Sequence, residues 1–293
     1  MSLSQRRIPA VACRRVQADG VDVFYRVAGP ENAPTVLLLH GFPASSFQFR
    51  ELIPRLADRY HVIAPDLPGF GYTRVAAARK YVYTFDALAR TIDRFAEALH
   101  LERYAMYIFD FGAPTGLRLA MAHPDRVSAI VSQNGNAYEE GFGEPWATLR
   151  EFWRDPGATN RERVRQALGA QGILFQYLHG VADPDSVAPE SYTLDIALIE
   201  RSGNMDIQLD LHLDYRTNVS LYRNFHEYFR RHQPPLLAIW GNNDAFFVPA
   251  GAQAFRDLPR AEIDFVDSGH FALETHVEVI ADRMLSFFAR NGI

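Results

Sequence analysis

Two carboxylates and a histidine stand just past apolar runs that lie far apart in the chain. Asp110 follows "YIF" and precedes "FGAPTGLRLAMAHP", whose later part has helical character. Asp244 lies in "GNNDAFFVP" after "PLLAIW", and His270 in "DSGHFALE" after "AEIDFV". A carboxylate near its usual pKa of about 3.9 is ionised at neutral pH and attacks an electrophile without help from a base. An imidazole steered by a second carboxylate takes a proton from water. Taken alone, Asp110 reads as an N-cap of the helix that follows, and Asp244 as a turn residue. Taken together and in this order, the three make Asp110 a candidate nucleophile.

They can meet only if the intervening elements bring their ends to one place. Residues 21–29 alternate like a half-exposed strand, and "TVLLLH" and "YHVIAPD" are continuous apolar runs of the kind buried on both faces. Phe49, Leu52, Ile53 and Leu56 have helical spacing within 45–59. Helix 84–100, strand 104–109, helix 112–123 and strand 127–132 continue the alternation. From about 135 to 233 it stops, and the chain becomes helical and aromatic-rich. Strand 235–241, a helix near 249–257, strand 261–267 and a last helix, 273–290, then resume it. This pattern predicts an α/β protein with a mostly parallel central sheet flanked by helices. Ligands gather at the carboxyl ends of such strands. "HGFPASS", "DLPGFG", Asp110, "GNNDAFFVP" and "DSGHFALE" therefore share one rim. The helical block 135–233 reads as a lid on a core made of 1–134 and 234–293.

The order strand–Asp110–helix, then Asp244, then His270, with an HGFP loop upstream and a helical insertion between the sixth and seventh main strands, resembles the α/β-hydrolase fold. From about Val16 onward it resembles the branch whose nucleophile is Asp, the epoxide hydrolases and haloalkane dehalogenases. The resemblance implies that Asp110 forms an alkyl ester, which water activated by His270 and Asp244 then hydrolyses. It also implies an oxyanion hole made by the backbone N–H groups of Phe42 and Phe111. One such donor is typically worth about 2.7–4 kcal/mol of barrier.

Departures from the pattern separate the candidates. Haloalkane dehalogenases usually carry a Trp after the nucleophile and often an Asn after the HG pair; here Phe111 and Phe42 stand there, and neither side chain donates. Fluoroacetate-type relatives carry arginines where this chain has Phe111 and Pro114. Epoxide hydrolases resemble one another in a lid tyrosine that protonates the opening ring, and Tyr215 in "LDYRTN" fits it. Where a second tyrosine is expected, "REFWRDP" offers Phe152 and Trp153, with Tyr138 or Tyr177 as substitutes. The Trp153 indole N–H would suit a halide equally. Trp153, Tyr138 and Phe152 are the expected pocket residues. Two positions before the nucleophile the family prefers Gly, and this chain has Ile108. The expectation is an epoxide hydrolase-like enzyme acting on a small apolar molecule. A haloalkane dehalogenase and a non-catalytic ligand-binding relative are the alternatives.

Composition excludes other classes. A formal charge of -5 over 293 residues argues against nucleic acid or an anionic membrane as partner. The PGFG loop lacks a Walker lysine and reads as a structural turn. His212, His226 and His232 show no ligand spacing, so neither metal nor cofactor is expected. The single cysteine, Cys13, allows no intramolecular disulfide and suits a cytoplasmic location. The run 8–13 is too short for a signal core, and the N-terminus reads as a loose tail. No stretch approaches a membrane span. A homodimer is compatible with all of this.

Overall fold

The structure, a computed structural model, describes residues 9–293. Eight main strands form one sheet: β1 Ala12–Ala18, β2 Val21–Ala28, β3 Thr35–Leu39, β4 His61–Pro65, β5 Tyr104–Phe109, β6 Val127–Gln133, β7 Leu236–Gly241 and β8 Ala261–Val266. Their spatial order is β1-β2-β4-β3-β5-β6-β7-β8, and a two-residue strand, Arg74–Val75, pairs with β2. The strands from β4 to β8 along this order run parallel, whereas β2 is antiparallel to both neighbours. The sequence follows this placement. Every residue of β5 and β7 is buried, as a central parallel strand with both faces covered requires. β1 is mostly exposed, as suits an edge.

The core helices are α1 Leu52–Leu56, α2 Phe85–Ala98, α3 Gly112–Ala122, α10 Pro249–Gln253 and α11 Leu273–Arg290. α1 packs on α11 and α2 on α3. Thr84 caps α2 by accepting the Ala87 N–H, satisfying one of the donors a helix start leaves free. Between β6 and β7 the chain runs through six helices: α4 Trp146–Arg154, α5 Ala158–Ala167, α6 Ala170–Leu178, α7 Pro189–Ile199, α8 Asn204–Asp214 and α9 Arg216–His232. Its one β contact among the described residues is an isolated Phe142–Phe247 bridge.

Two local expectations are corrected. Residues 12–15 of the expected tail are not loose but open strand β1, which pairs with β2 along its whole length. Its polar side chains hid it, because an edge strand is held by backbone bonds rather than by an apolar face. Residues 1–8 of the expected tail lie outside the described residues. Second, the helix expected over 45–59 is a 3₁₀ turn, Ser46–Phe49, followed by the short α1. The Ser46 N–H is drawn 2.7 Å from Asp66 Oδ1 beyond β4, which ties the start of this segment to the rim. Among the described residues no helix is long and apolar enough to cross a membrane.

Candidate active site

β5 ends at Phe109 and α3 begins at Gly112, so the chain must reverse within two residues. Asp110 absorbs the turn at φ 45°, the left-handed region, which costs an L-residue about 1–2 kcal/mol. The space around it is made by glycines. A Cβ on Gly41 would lie 2.2 Å from Asp110 Oδ1, and one on Gly112 would lie 2.2 Å from the Leu39 carbonyl oxygen. Ile108 also finds its explanation here. A Cβ on Gly116, one turn into α3, would meet Ile108 Cγ2 at 2.6 Å, so the helix supplies the missing bulk allowance that the strand does not.

Asp110 is buried, and the Phe42 N–H donates to its Oδ1 at 2.6 Å. Burial pushes its pKa up to about 6, although His270 and the N–H groups of Phe42 and Phe111 pull it down. The expectation of a carboxylate near 3.9 is thereby corrected, because the turn that exposes the group to the cavity also removes it from water. Ionisation at neutral pH survives with a smaller margin.

His270 Nδ1 lies 2.8 Å from Asp244 Oδ2, with both side chains buried. The carboxylate oxygen accepts, so Nδ1 carries the proton and Nε2 keeps its lone pair. Burial alone would depress the His270 pKa; the Asp244 carboxylate, assisted by Asp110, outweighs it and raises the value above the usual range. Asp244 is itself held on both oxygens. Oδ1 accepts the Phe246 N–H at 2.7 Å, and Oδ2 accepts Asn134 Nδ2 at 2.7 Å.

Asn134 is the residue that sequence reasoning missed. It sits just past β6 at φ 45°, and its Oδ1 accepts the Gly241 N–H at 2.9 Å and Gln133 Nε2. Gln133 also donates to the His270 carbonyl at 3.1 Å and accepts the Tyr107 hydroxyl at 3.0 Å. The strand-end rule that found the other rim residues points equally to Asn134.

The His40 side chain of the HGFP loop and the PGFG loop brace the rim. His40 donates from Nδ1 to the Gly41 carbonyl at 2.9 Å and accepts the Leu67 N–H on Nε2 at 2.9 Å. Burial lowers its pKa, so it stays neutral. Asp66 accepts the Ser46 and Tyr72 N–H groups, while Gly69 and Gly71 take φ of 91° and 52°.

Asp110 and His270 open into a cavity of about 190 Å³ whose walls include Phe42, Phe111, Trp146 and His212. The expected pocket residues Trp153, Tyr138 and Phe152 are not among its lining. The register of α4 bears on two of these: Trp146 begins the helix, and Phe152 and Trp153 fall about 9 and about 10.5 Å further along its axis at 1.5 Å per residue. The Trp153 N–H, expected to be available to a halide, donates to the His212 carbonyl at 2.8 Å. Tyr138 stacks on His226 with ring centres 4.1 Å apart. The Tyr177 hydroxyl, a candidate substitute, donates to Asp195 Oδ2 at 2.6 Å.

Tyr215 stands one ring behind the wall, with centroids 4.6 Å from Trp146 and 5.7 Å from Phe111. Its buried hydroxyl makes no hydrogen bond among the described residues; the Tyr222 hydroxyl is its polar neighbour, and burial pushes the Tyr215 pKa well up. The Trp146 indole N–H is likewise buried and unpaired. Among the described residues no group of three or more His, Cys, Asp or Glu side chains is arranged to hold a metal ion.

A strained carboxylate between strand and helix, with a His–Asp pair across the same cavity, defines a hydrolase of the α/β-hydrolase class. The family profile described as the alpha/beta hydrolase fold matches residues 34–277, and the chain belongs to that family. It is 48% identical over 279 residues to an uncharacterised hydrolase of Saccharomyces cerevisiae, covering 93% of this chain and 95% of that one. It is 38% identical over 269 residues to a haloalkane dehalogenase of Mycobacterium marinum, covering 88% and 86%. Among solved structures, the epoxide hydrolase CorEH superposes with a TM-score of 0.78 at 18% identity, covering 96% of this chain and 99% of that one, a likeness of fold alone.

Proposed function

We propose that the chain is a hydrolase that works through an ester on Asp110, and that its substrate is a small apolar epoxide. The observation that carries this is the Phe42 N–H on Asp110 Oδ1 at 2.6 Å. It anchors one carboxylate oxygen at the oxyanion site and leaves Oδ2 to attack an sp³ carbon. As the C–O bond of the ring breaks, its electron pair passes to the epoxide oxygen, and the Tyr215 hydroxyl supplies the proton. His270 Nε2 then takes a proton from water, and the resulting hydroxide attacks Asp110 Cγ. The oxyanion forms on Oδ1 against the N–H groups of Phe42 and Phe111. Its collapse breaks the Cγ–Oδ2 bond and releases the diol, whose alkoxide recovers the proton from His270; Asp110, left as the carboxylic acid, gives up its proton as the Tyr215 phenolate regains one through solvent. Epoxide plus water gives diol. In this reading the segment 135–233 acts as a cap on the core formed by 1–134 and 234–293.

The reading rests on Tyr215 because a phenol transfers a proton to an alkoxide, whereas an indole N–H only solvates an anion. Its hydroxyl, buried and unpaired, is a donor without an acceptor. A second reading, haloalkane dehalogenation, is favoured by the buried, unpaired N–H of Trp146, a residue of the cavity wall, and by the dehalogenase relative. A panel of small epoxides and haloalkanes separates them. Diol release from epoxides is expected. Halide release without any diol reverses the choice, and neither product from either set points to a non-catalytic ligand-binding protein.

A further inference from the structure

His212 plays no part in the chemistry above, yet it lines the same cavity and is only 4% exposed. Its ring lies 4.8 Å from that of Phe42 at 88° and 4.9 Å from that of Phe111, so it faces the residues that flank Asp110. Nδ1 is 2.7 Å from the Gln208 carbonyl oxygen one turn back in α8. A carbonyl oxygen only accepts, so Nδ1 must carry the proton, and Nε2 is left as a bare lone pair. The ring makes no other hydrogen bond among the described residues. With Nδ1 tied to its own helix, Nε2 is the ring nitrogen left for the cavity that His212 lines.

Such a nitrogen acts as an acceptor and nothing else while the ring is neutral. Burial lowers the His212 pKa to about 4, which keeps it neutral at working pH and removes it as a proton donor to a leaving group. An acceptor held among phenyl rings loses its water when an apolar ligand fills the space, and that loss is unfavourable unless the ligand brings a donor.

We infer that His212 sets substrate specificity: its Nε2 accepts a hydrogen bond from a hydroxyl or N–H carried by the substrate, which is therefore an apolar molecule bearing a donor group away from the reacting carbon. The inference rests on the cavity being the substrate site proposed above, and it refines the substrate class rather than the reaction. A site built to bond such a group discriminates strongly against the analogue that lacks it, since the buried partner is then left unpaired.

The test uses unreactive probes, so that it does not depend on turnover. Benzyl alcohol, benzyl methyl ether and toluene share an apolar body, but only the alcohol donates. Calorimetric titration of the full chain is expected to show the alcohol binding at least about tenfold tighter than toluene or the ether. In His212→Phe the alcohol's advantage over toluene should shrink to within about threefold, with toluene affinity retained as proof that the cavity is intact. His212→Gln, which keeps an acceptor, should restore part of the preference. If the variants fail to bind toluene, ¹⁵N NMR of the wild-type imidazole decides instead: alcohol must shift the unprotonated Nε2 resonance, and toluene must not. No preference in the wild type, an undiminished preference in His212→Phe, or an Nε2 resonance indifferent to alcohol overturns the inference. An alcohol preference without any turnover of epoxides or haloalkanes would leave the acceptor site standing and remove the proposed reaction.

Discussion

The two walls of the cavity treat their polar groups in opposite ways. On the sheet side, Asp110 Oδ1, both oxygens of Asp244, His270 Nδ1 and the Asn134 amide are each tied by a hydrogen bond within the protein. On the helical side, the N–H of Trp146 in the lining and the hydroxyl of Tyr215 one ring behind it are buried without a partner, and His212 keeps one nitrogen free. The difference separates two tasks. In the proposed reaction, groups that hold a fixed geometry through every turnover are those satisfied by the fold itself, and the unpaired groups are those left for a changing leaving group or substrate.

The contrast breaks most visibly at His270. His270→Gln should lower steady-state turnover by at least about 10⁴-fold while leaving the attack by Asp110 intact. The alkyl-enzyme should then accumulate and appear as a mass adduct on the intact protein. An inactive variant without any adduct would remove the ester or the base assignment.

On the helical side, Tyr215→Phe should slow epoxide opening by about 10²–10⁴-fold, with a smaller effect from Trp146→Phe. The opposite ranking, with halide release falling in Trp146→Phe, would move the reading to dehalogenation. Rates of diol and halide release in the two variants decide it.

Asp110 joins the comparison through pH, because a satisfied carboxylate can still be a costly one. Its pKa rises from the usual 3.8 to about 6 on folding, so the folded state binds the proton more tightly than the unfolded chain. Its penalty is absent below about 4 and fully developed above about 6. Asp110→Asn, which tolerates the left-handed turn, should therefore stabilise the fold by up to about 3 kcal/mol at pH 7.5. The gain should shrink as pH falls toward 4. Chemical denaturation at several pH values measures it, and a pH-independent gain would contradict the burial argument. In the wild type, the single-turnover rate of ester formation should fall as pH drops through about 6.

The smallest expected effect lies behind the sheet wall. Gly116→Ala should destabilise by about 1–3 kcal/mol through contact with Ile108 Cγ2, and trimming the partner, Ile108→Val, should recover part of it. Additive denaturation energies would mean that Gly116 does not make the room for Ile108.

Much of the sheet side was legible in the sequence because its signals are local. "YIFDFG" marks a buried strand that ends on a carboxylate before a helix, and the later strands repeat that punctuation at Asp244 and His270. β5 and α11 fall where the pattern places them. Asn134 and β1 were reachable by the same logic but carry weaker signals, one an amide at a strand end and the other a polar edge. The helical side was less legible because helix periodicity identifies a buried stripe without saying what it faces. Trp146 and Trp153 share a stripe seven residues apart, and only tertiary packing decides that the first reaches the cavity while the second bonds the His212 carbonyl. Periodicity alone therefore placed Phe152, Trp153 and Tyr138 at the pocket, and the cavity lining does not include them.

The central claim is that Asp110 is alkylated and that water regenerates it. A single turnover in ¹⁸O-labelled water, with enzyme in excess over an epoxide that the panel shows to be hydrolysed, followed by mass analysis of the peptide holding Asp110, tests this most directly. The account predicts one ¹⁸O atom in the Asp110 carboxylate and an unlabelled diol. A labelled diol with unlabelled Asp110 would mean that water attacks the substrate itself, and the ester route would be wrong.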